Sequence, residues 1–209
     1  MCSRYRALDY SIAKEFVDAL NAKEAFVYEP IDDAETSPYH LVFPGDTASI
    51  ITPSFDGDKP TGLNVREFKW GYSVDWNNTP VFNTRFETAM KDEGRNMWRE
   101  SIEQRRCLIP SMGFYEPHKS ETIQSEKTGK PIKQNYLFTL PQDSLMFIVG
   151  VFNKDNEYSM MTTRPNKWVS DVHNRMPRVL DKSELMTWLF GNYETVFDRS
   201  GLELIAQKE

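Results

Sequence analysis

Between Cys107 and Thr163 the sequence runs CLIPSMGFYEPHK, NYLFTL, LMFIVGVF and EYSMMTT. These runs are apolar, rich in β-branched and aromatic residues, and parted by short polar segments, so they read as strands. Upstream, HLVFPGDTASIITP has the pattern strand, Pro-Gly turn, strand, and VREFKWGYSVDW continues in strand alternation. The intervening SFDGDKPTGLN reads as a turn-rich loop, and Ser120 to Gln134 as a charged, exposed hairpin loop. A chain dominated by short strands must build a sheet. The helical segments are few. Ser11 to Ala22 places Ile12, Phe16, Ala19 and Leu20 at helical spacing, with Ser11 as N-cap and Asp9 as the alternative. Phe86 to Arg106 is a polar amphipathic stretch broken near Gly94, and Asp181 to Phe190 is a further helix. Asn21 to Pro38 is polar and irregular. This order points to an α+β fold, a mainly antiparallel sheet or partial β-barrel with flanking helices.

The length of 209 residues suits a single domain with a substantial core. No apolar run approaches the roughly 18 residues that span a bilayer, and the N-terminal segment lacks the apolar core of a signal peptide. The expectation is a cytoplasmic protein without membrane association. The histidines His40, His118 and His173 are scattered, and no CxxC or HExxH spacing occurs, so neither a metal nor a cofactor is expected. Cys2 and Cys107 do not make a disulfide framework, although a single bridge between them stays open. The net charge of −6 argues against non-specific coating of nucleic acid but allows a local basic cleft. Arg4 and Arg6 lie beside Cys2.

Four places carry candidate chemistry. If Met1 is removed, Cys2 presents an α-amine and a thiol on adjacent carbons, with reference pKa values of about 7.7–8.0 and about 8.5. Such a 1,2-aminothiol condenses with an aldehyde through the amine and closes a thiazolidine ring through the thiol; it can also attack carbonyls generally. By position alone Cys2 reads more readily as an ordinary small residue near a chain end than as a nucleophile. In PVFNTRFETA, Asn83, Arg85 and Glu87 alternate and on a strand would share one face, a polar row suited to anions and carbonyls. In MGFYEPH, Glu116 follows apolar residues, and partial burial would raise its pKa toward acid/base use. The alternative is an edge residue at a strand end, where Pro117 interrupts pairing. In DVHNRMPRVL, His173 titrates near neutrality if accessible, though a lone histidine is commonly structural.

Taken in order, MCSR, WGY…W, NTRFET, RRCLIP…GFYE and HNRMP resemble the SOS-response-associated peptidase (SRAP) family, also called abasic-site processing proteins. The resemblance runs from Cys2 to about Leu180. It implies one domain over residues 1–209, in which Cys2 links covalently to the ring-opened aldehyde of an abasic site in single-stranded DNA. By motif, Asn83 would hold the N-terminal residue or the opened sugar, Glu116 would shuttle protons, and His173 would assist at the sugar and in reversal. Arg4, Arg85 and Arg175 match positions that contact DNA phosphates, and Trp76 one that stacks near the lesion. Trp70 is expected in the core. The resemblance also implies a monomer needing no cofactor, with either self-removal of Met1 or its removal by a methionine aminopeptidase. The chain departs from the family pattern at Ser3, Asn77 and Pro117, and has YHLVFPGD where members show YNxxPG. Two other functions stay open: a cysteine-type peptidase acting on its own Met1, and a non-catalytic single-stranded DNA binding module.

Overall fold

A computed structural model describes residues 2–26, 37–91, 96–197 and 201–209. In chain order the elements are β1 (Arg4–Leu8), α1 (Tyr10–Ala22), β2 (Tyr39–Val42), β3 (Thr47–Asp56), β4 (Lys59–Trp70), β5 (Tyr72–Val74), β6 (Asn77–Val81) and β7 (Asn83–Arg85). There follow α2 (Phe86–Ala89), α3 (Arg99–Gln104), β8 (Arg106–Gln124), β9 (Pro131–Thr139), β10 (Met146–Phe152), β11 (Glu157–Thr163), β12 (Met176–Pro177), β13 (Val179–Leu180), α4 (Leu185–Phe190) and β14 (Ile205–Lys208). Among the described residues no helix is long and apolar enough to cross a membrane.

The α+β reading holds. One large sheet carries most of the strands, ordered β13-β10-β11-β4-β3-β8-β1-β2, and a further β10–β8 pairing bends it back on itself. The resulting ring of β8, β10, β11, β4 and β3 is thin at two joins. β3 meets β8 at the single pair Ile51↔Leu108, and β11 meets β4 in parallel at two pairs. The sheet is therefore a partial barrel rather than a closed one.

Alternation along the strands sorts their side chains into two apolar clusters. Leu108, Phe147, Val149 and Met161 face one way, where Phe16 and Val17 of α1, Ile102 of α3, and Leu185 and Trp188 of α4 cover them. Cys107, Ile109, Ile148 and Met160 face the other way and pack with Tyr5, Trp70, Tyr158 and Cys2. Trp70 is fully buried, as expected. Cys2 and Cys107 are both buried free thiols.

Some local expectations need correction. The segment read as a loop at SFDGDKPTGLN lies mostly in strand, since β3 and β4 pair from Thr47↔Lys69 to Asp56↔Lys59 and turn only at Gly57 and Asp58. Its glycine, proline and charge content marks an exposed hairpin arm rather than irregular chain. The arm between Ser120 and Gln134 is likewise largely paired, with Thr122↔Lys133 and Ile123↔Ile132 in register. Asp9, not Ser11, occupies the α1 N-cap position, with no side-chain cap bond. The break near Gly94 and most of the segment read as irregular before Pro38 lie outside the described residues.

Candidate active site

The site is built where β1 crosses β8. Arg4 pairs with Tyr115 and Tyr5 with Phe114, so Cys2, which leads into β1, comes alongside Glu116. A bulge between Arg6 and Ala7 sets this register, because Arg6 opposes Gly113 while Ala7 opposes Ser111. The Ser111 hydroxyl pins the bulge, donating to the Arg6 carbonyl at 2.9 Å and accepting from the Gly113 N–H at 3.1 Å.

Cys2 and Glu116 are both 0% exposed. Burial pushes the Glu116 carboxyl up to about 8, and the Cys2 thiol is also pushed well above its usual value, first by burial and then by the Glu116 charge. At neutral pH Glu116 is thus mostly an uncharged acid. Asn83, at the start of β7, donates from Nδ2 to the Cys2 carbonyl at 2.6 Å. Its Oδ1 is shielded from solvent and has no hydrogen-bond partner among the described residues. β7 reaches this position by pairing in parallel with β11, Met160↔Asn83.

His173 completes the cluster from the turn before β12. Its Nδ1 lies 3.5 Å from Glu116 Oε2, 3.0 Å from the Arg175 carbonyl and 3.2 Å from the Arg175 N–H, so its tautomer sets which backbone group it engages. Burial lowers its pKa from the ordinary 6.5. Burial therefore favours the neutral forms of both groups, an acid and a base side by side. Pro117 does not end β8: pairing with β9 lapses after Pro117↔Asn135 and resumes at Thr122↔Lys133. Glu116 is a buried mid-strand residue, not an edge one.

The arginines surround this centre differently. Arg175 forks onto Glu87, with 3.0 Å and 2.9 Å contacts, and donates to the Thr162 carbonyl at 2.7 Å. Glu87 does not share a strand face with Asn83 and Arg85, because β7 ends at Arg85 and Glu87 lies in the first turn of α2. Arg4 pairs with Glu209 and stacks on the Tyr115 ring, its guanidinium carbon 3.8 Å from the centroid. Arg85 is exposed at the end of β7. Trp76 stands 71% exposed at the turn between β5 and β6. A cleft of about 510 Å³ lined by Leu140, Arg178 and Glu203, among others, does not include the cluster. Among the described residues no three His, Cys, Asp or Glu side chains gather as a metal site.

The sequence model described as SOS response associated peptidase (SRAP) matches residues 1–207. The chain belongs to this family. Abasic site processing protein YoqW of Bacillus subtilis (strain 168) is 25% identical over 202 residues, covering 90% of this chain and 80% of that protein. Abasic site processing protein YoaM of the same strain is 24% identical, with 90% and 79% coverage. A crystal structure of a protein from Bordetella bronchiseptica has a TM-score of 0.65 at 19% identity, covering 100% of this chain and 99% of the other. A phage-related protein of that organism has a TM-score of 0.67 at 16% identity, with 100% and 95% coverage. These structures share the fold.

Within this SRAP chain, Tyr115, Thr162 and Glu209 surround the arginines although sequence reading did not single them out. Tyr115 adjoins Glu116 in the GFYE motif, a signal that was available. Thr162 and Glu209 reach the site through sheet pairing and had no local signal.

Proposed function

We propose that the protein acts on abasic sites in single-stranded DNA, forming a covalent thiazolidine link through Cys2 once Met1 has been removed. The observation that carries this reading is the burial of Cys2 and Glu116 in one cluster, with Asn83 Nδ2 2.6 Å from the Cys2 carbonyl and His173 Nδ1 3.5 Å from Glu116 Oε2. Removal of Met1 turns the Cys2 nitrogen into a free α-amine within this cluster, so the nucleophile would be generated beside its proton donor. The names of the Bacillus relatives, abasic site processing proteins, support the substrate class.

The reaction follows from the groups present. His173, held neutral, accepts the C1′ hydroxyl proton and returns it to the ring oxygen as the C1′–O4′ bond breaks, opening the deoxyribose to an aldehyde with a free hydroxyl. The Cys2 amine adds to the aldehyde carbon, and Glu116 protonates the resulting hydroxyl so that it leaves as water and an imine forms. The Cys2 sulfur then bonds to the imine carbon while its proton passes to the nitrogen. Aldehyde, amine and thiol give thiazolidine and water, with no change of oxidation state. Asn83 anchors the Cys2 carbonyl and so fixes the amine and thiol against the acid.

The same geometry supports a second reading, removal of Met1 by the protein itself. The thiol would attack the Met1 carbonyl, transferring the acyl group from nitrogen to sulfur with Glu116 protonating the departing amine, and water would then release methionine. Separate preparations test the two readings. Met1-free wild-type protein incubated with single-stranded DNA bearing an abasic site is expected to give a heat-stable adduct, and Cys2→Ala none. No adduct, or an equal one from Cys2→Ala, overturns the crosslinking reading. Intact mass of Glu116→Ala made without aminopeptidase reads the second, which fails if Met1 leaves at the wild-type rate.

A further inference from the structure

β1 offers a second cation beside the reactive centre. Tyr5 is buried between Arg4 and Arg6, so alternation puts both arginines on the outer face. At about 3.3 Å per strand residue they stand roughly 6.6 Å apart along the chain, comparable to one nucleotide step of an extended strand. Their environments differ. Arg4 is paired with Glu209, whereas among the described residues no carboxylate pairs with Arg6. Arg6 is held by aromatic rings instead. Its guanidinium carbon lies 4.6 Å from the Tyr39 centroid and 5.8 Å from that of Tyr115, and its Nε donates to the Tyr115 hydroxyl at 3.2 Å. Among the described residues nothing accepts from its two terminal nitrogens.

A guanidinium fixed through its planar face and its Nε, with the outer edge of the fork unused, is preorganised for a bidentate oxyanion. Leu41, opposite Arg6 on β2, is 45% exposed, and Phe43 just beyond that strand is 47% exposed, which gives apolar surface for a sugar or base beside the cation. Asp9, just beyond β1, is engaged by His40 at 3.0 Å.

We propose that Arg6, clamped by Tyr39 and Tyr115, is a phosphate subsite that grips the strand one nucleotide away from the residue held at Arg4 and Cys2. It rests on the strand-binding part of the reading above and not on its covalent step. The probe is therefore a single-stranded oligonucleotide carrying a tetrahydrofuran abasic analogue, which has no aldehyde, with binding followed by fluorescence anisotropy over a salt series. Arg6→Ala is expected to weaken binding about tenfold at low salt and to make the slope of log affinity against log salt shallower by about 0.7, one single-strand phosphate. Arg6→Lys, which keeps the charge but not the planar stack, is expected to fall between. A scan of single methylphosphonates through the strand is expected to find one position that weakens the wild-type protein and leaves Arg6→Ala unaffected. Should Arg6→Ala fold poorly, the scan on wild-type protein and Arg6→Lys still decides. The proposal is overturned if wild-type protein does not bind the probe, if affinity and slope are unchanged in folded Arg6 variants, or if no single phosphate matters to the wild-type protein. Failure of Cys2 to crosslink aldehyde-bearing DNA overturns only the covalent reading.

Discussion

At the scale of single residues, Glu116 shows how a sheet can impose chemistry on a carboxyl. Its value of about 8 comes first from burial, and burial of an acid destabilises the charged form of the folded chain. The folded state keeps a proton that the unfolded chain releases, so this contribution to stability is present at low pH and is lost as pH rises toward 8. His173 acts with the opposite sign, its lowered pKa costing stability only as pH falls through the ordinary histidine range. Within the buried cluster, Glu116 is the group that titrates between about pH 6.5 and 8, since the Cys2 thiol is held above that range and His173 below it. In the chain retaining Met1, Glu116→Gln is expected to gain stability over wild type across that window, by an amount on the order of 2 kcal/mol at most. Thermal melts at pH 6.5, 7.2 and 8 check this, and parallel curves for the two proteins would rule it out. In the Met1-free protein the same substitution removes the proton donor and should slow adduct formation at pH 7 by about a hundredfold or more. Much of this centre was legible, since Cys2, Asn83, Glu116 and His173 were each read from motifs and the fold gathers them. The burial of Cys2 was not. A residue beside the chain end gives no periodic signal, and only the pairing of β1 with β8 encloses it.

At the scale of elements, β8 matters most. It runs antiparallel to β10 as far as Ser111↔Met146 and to β9 from Phe114↔Phe138 onward, so it changes partner within three residues. Gly113 makes the change possible. Its φ is +143°, and a Cβ there would stand 2.8 Å from the Phe138 carbonyl oxygen, with backbone rather than a flexible side chain in the way. Gly113→Ala is expected to lose about 2–4 kcal/mol of stability, and to cut adduct yield even where the protein stays folded, because the bulge that brings Cys2 to Glu116 would shift. Urea titration read with the crosslinking assay tests this; wild-type stability and yield would show that the bulge does not set the register. The strand character of β8 was legible from its aromatic and β-branched content, but its partner change was not, since a glycine within GFYE reads the same in a turn, a bulge or a plain strand. The β3–β4 hairpin was misread for a related reason. Its distal half lies exposed, so selection for an apolar face is absent and Asp, Lys, Pro and Gly obscure the period of two.

At the scale of the whole molecule, the proposed function requires a chain of net charge −6 to meet a polyanion. It has little general attraction to offer, so binding must come from local contacts at the site. Four arginines flank it, but they are not equivalent. Arg4 and Arg175 already hold Glu209 and Glu87, and replacing a carboxylate by a phosphate releases fewer counterions than neutralising a bare strand with a free cation. Arg6 and Arg85 have no carboxylate partner among the described residues. The slope of log affinity against log salt for single-stranded DNA should therefore lie between about −1.4, for two full contacts, and about −2.8, for four. Glu209→Gln, which frees Arg4, should move the wild-type slope toward the steeper limit and strengthen binding a few-fold at low salt, the gain fading as salt screens it. Anisotropy titrations of both proteins between about 50 and 300 mM salt measure these quantities. A wild-type slope steeper than about −4 would mean that a broader basic surface is engaged than the four site arginines provide. An unchanged slope in Glu209→Gln would mean that the Arg4–Glu209 pair is not opened by the strand, and that Arg4 serves to fix β14 against β1 rather than to hold a phosphate.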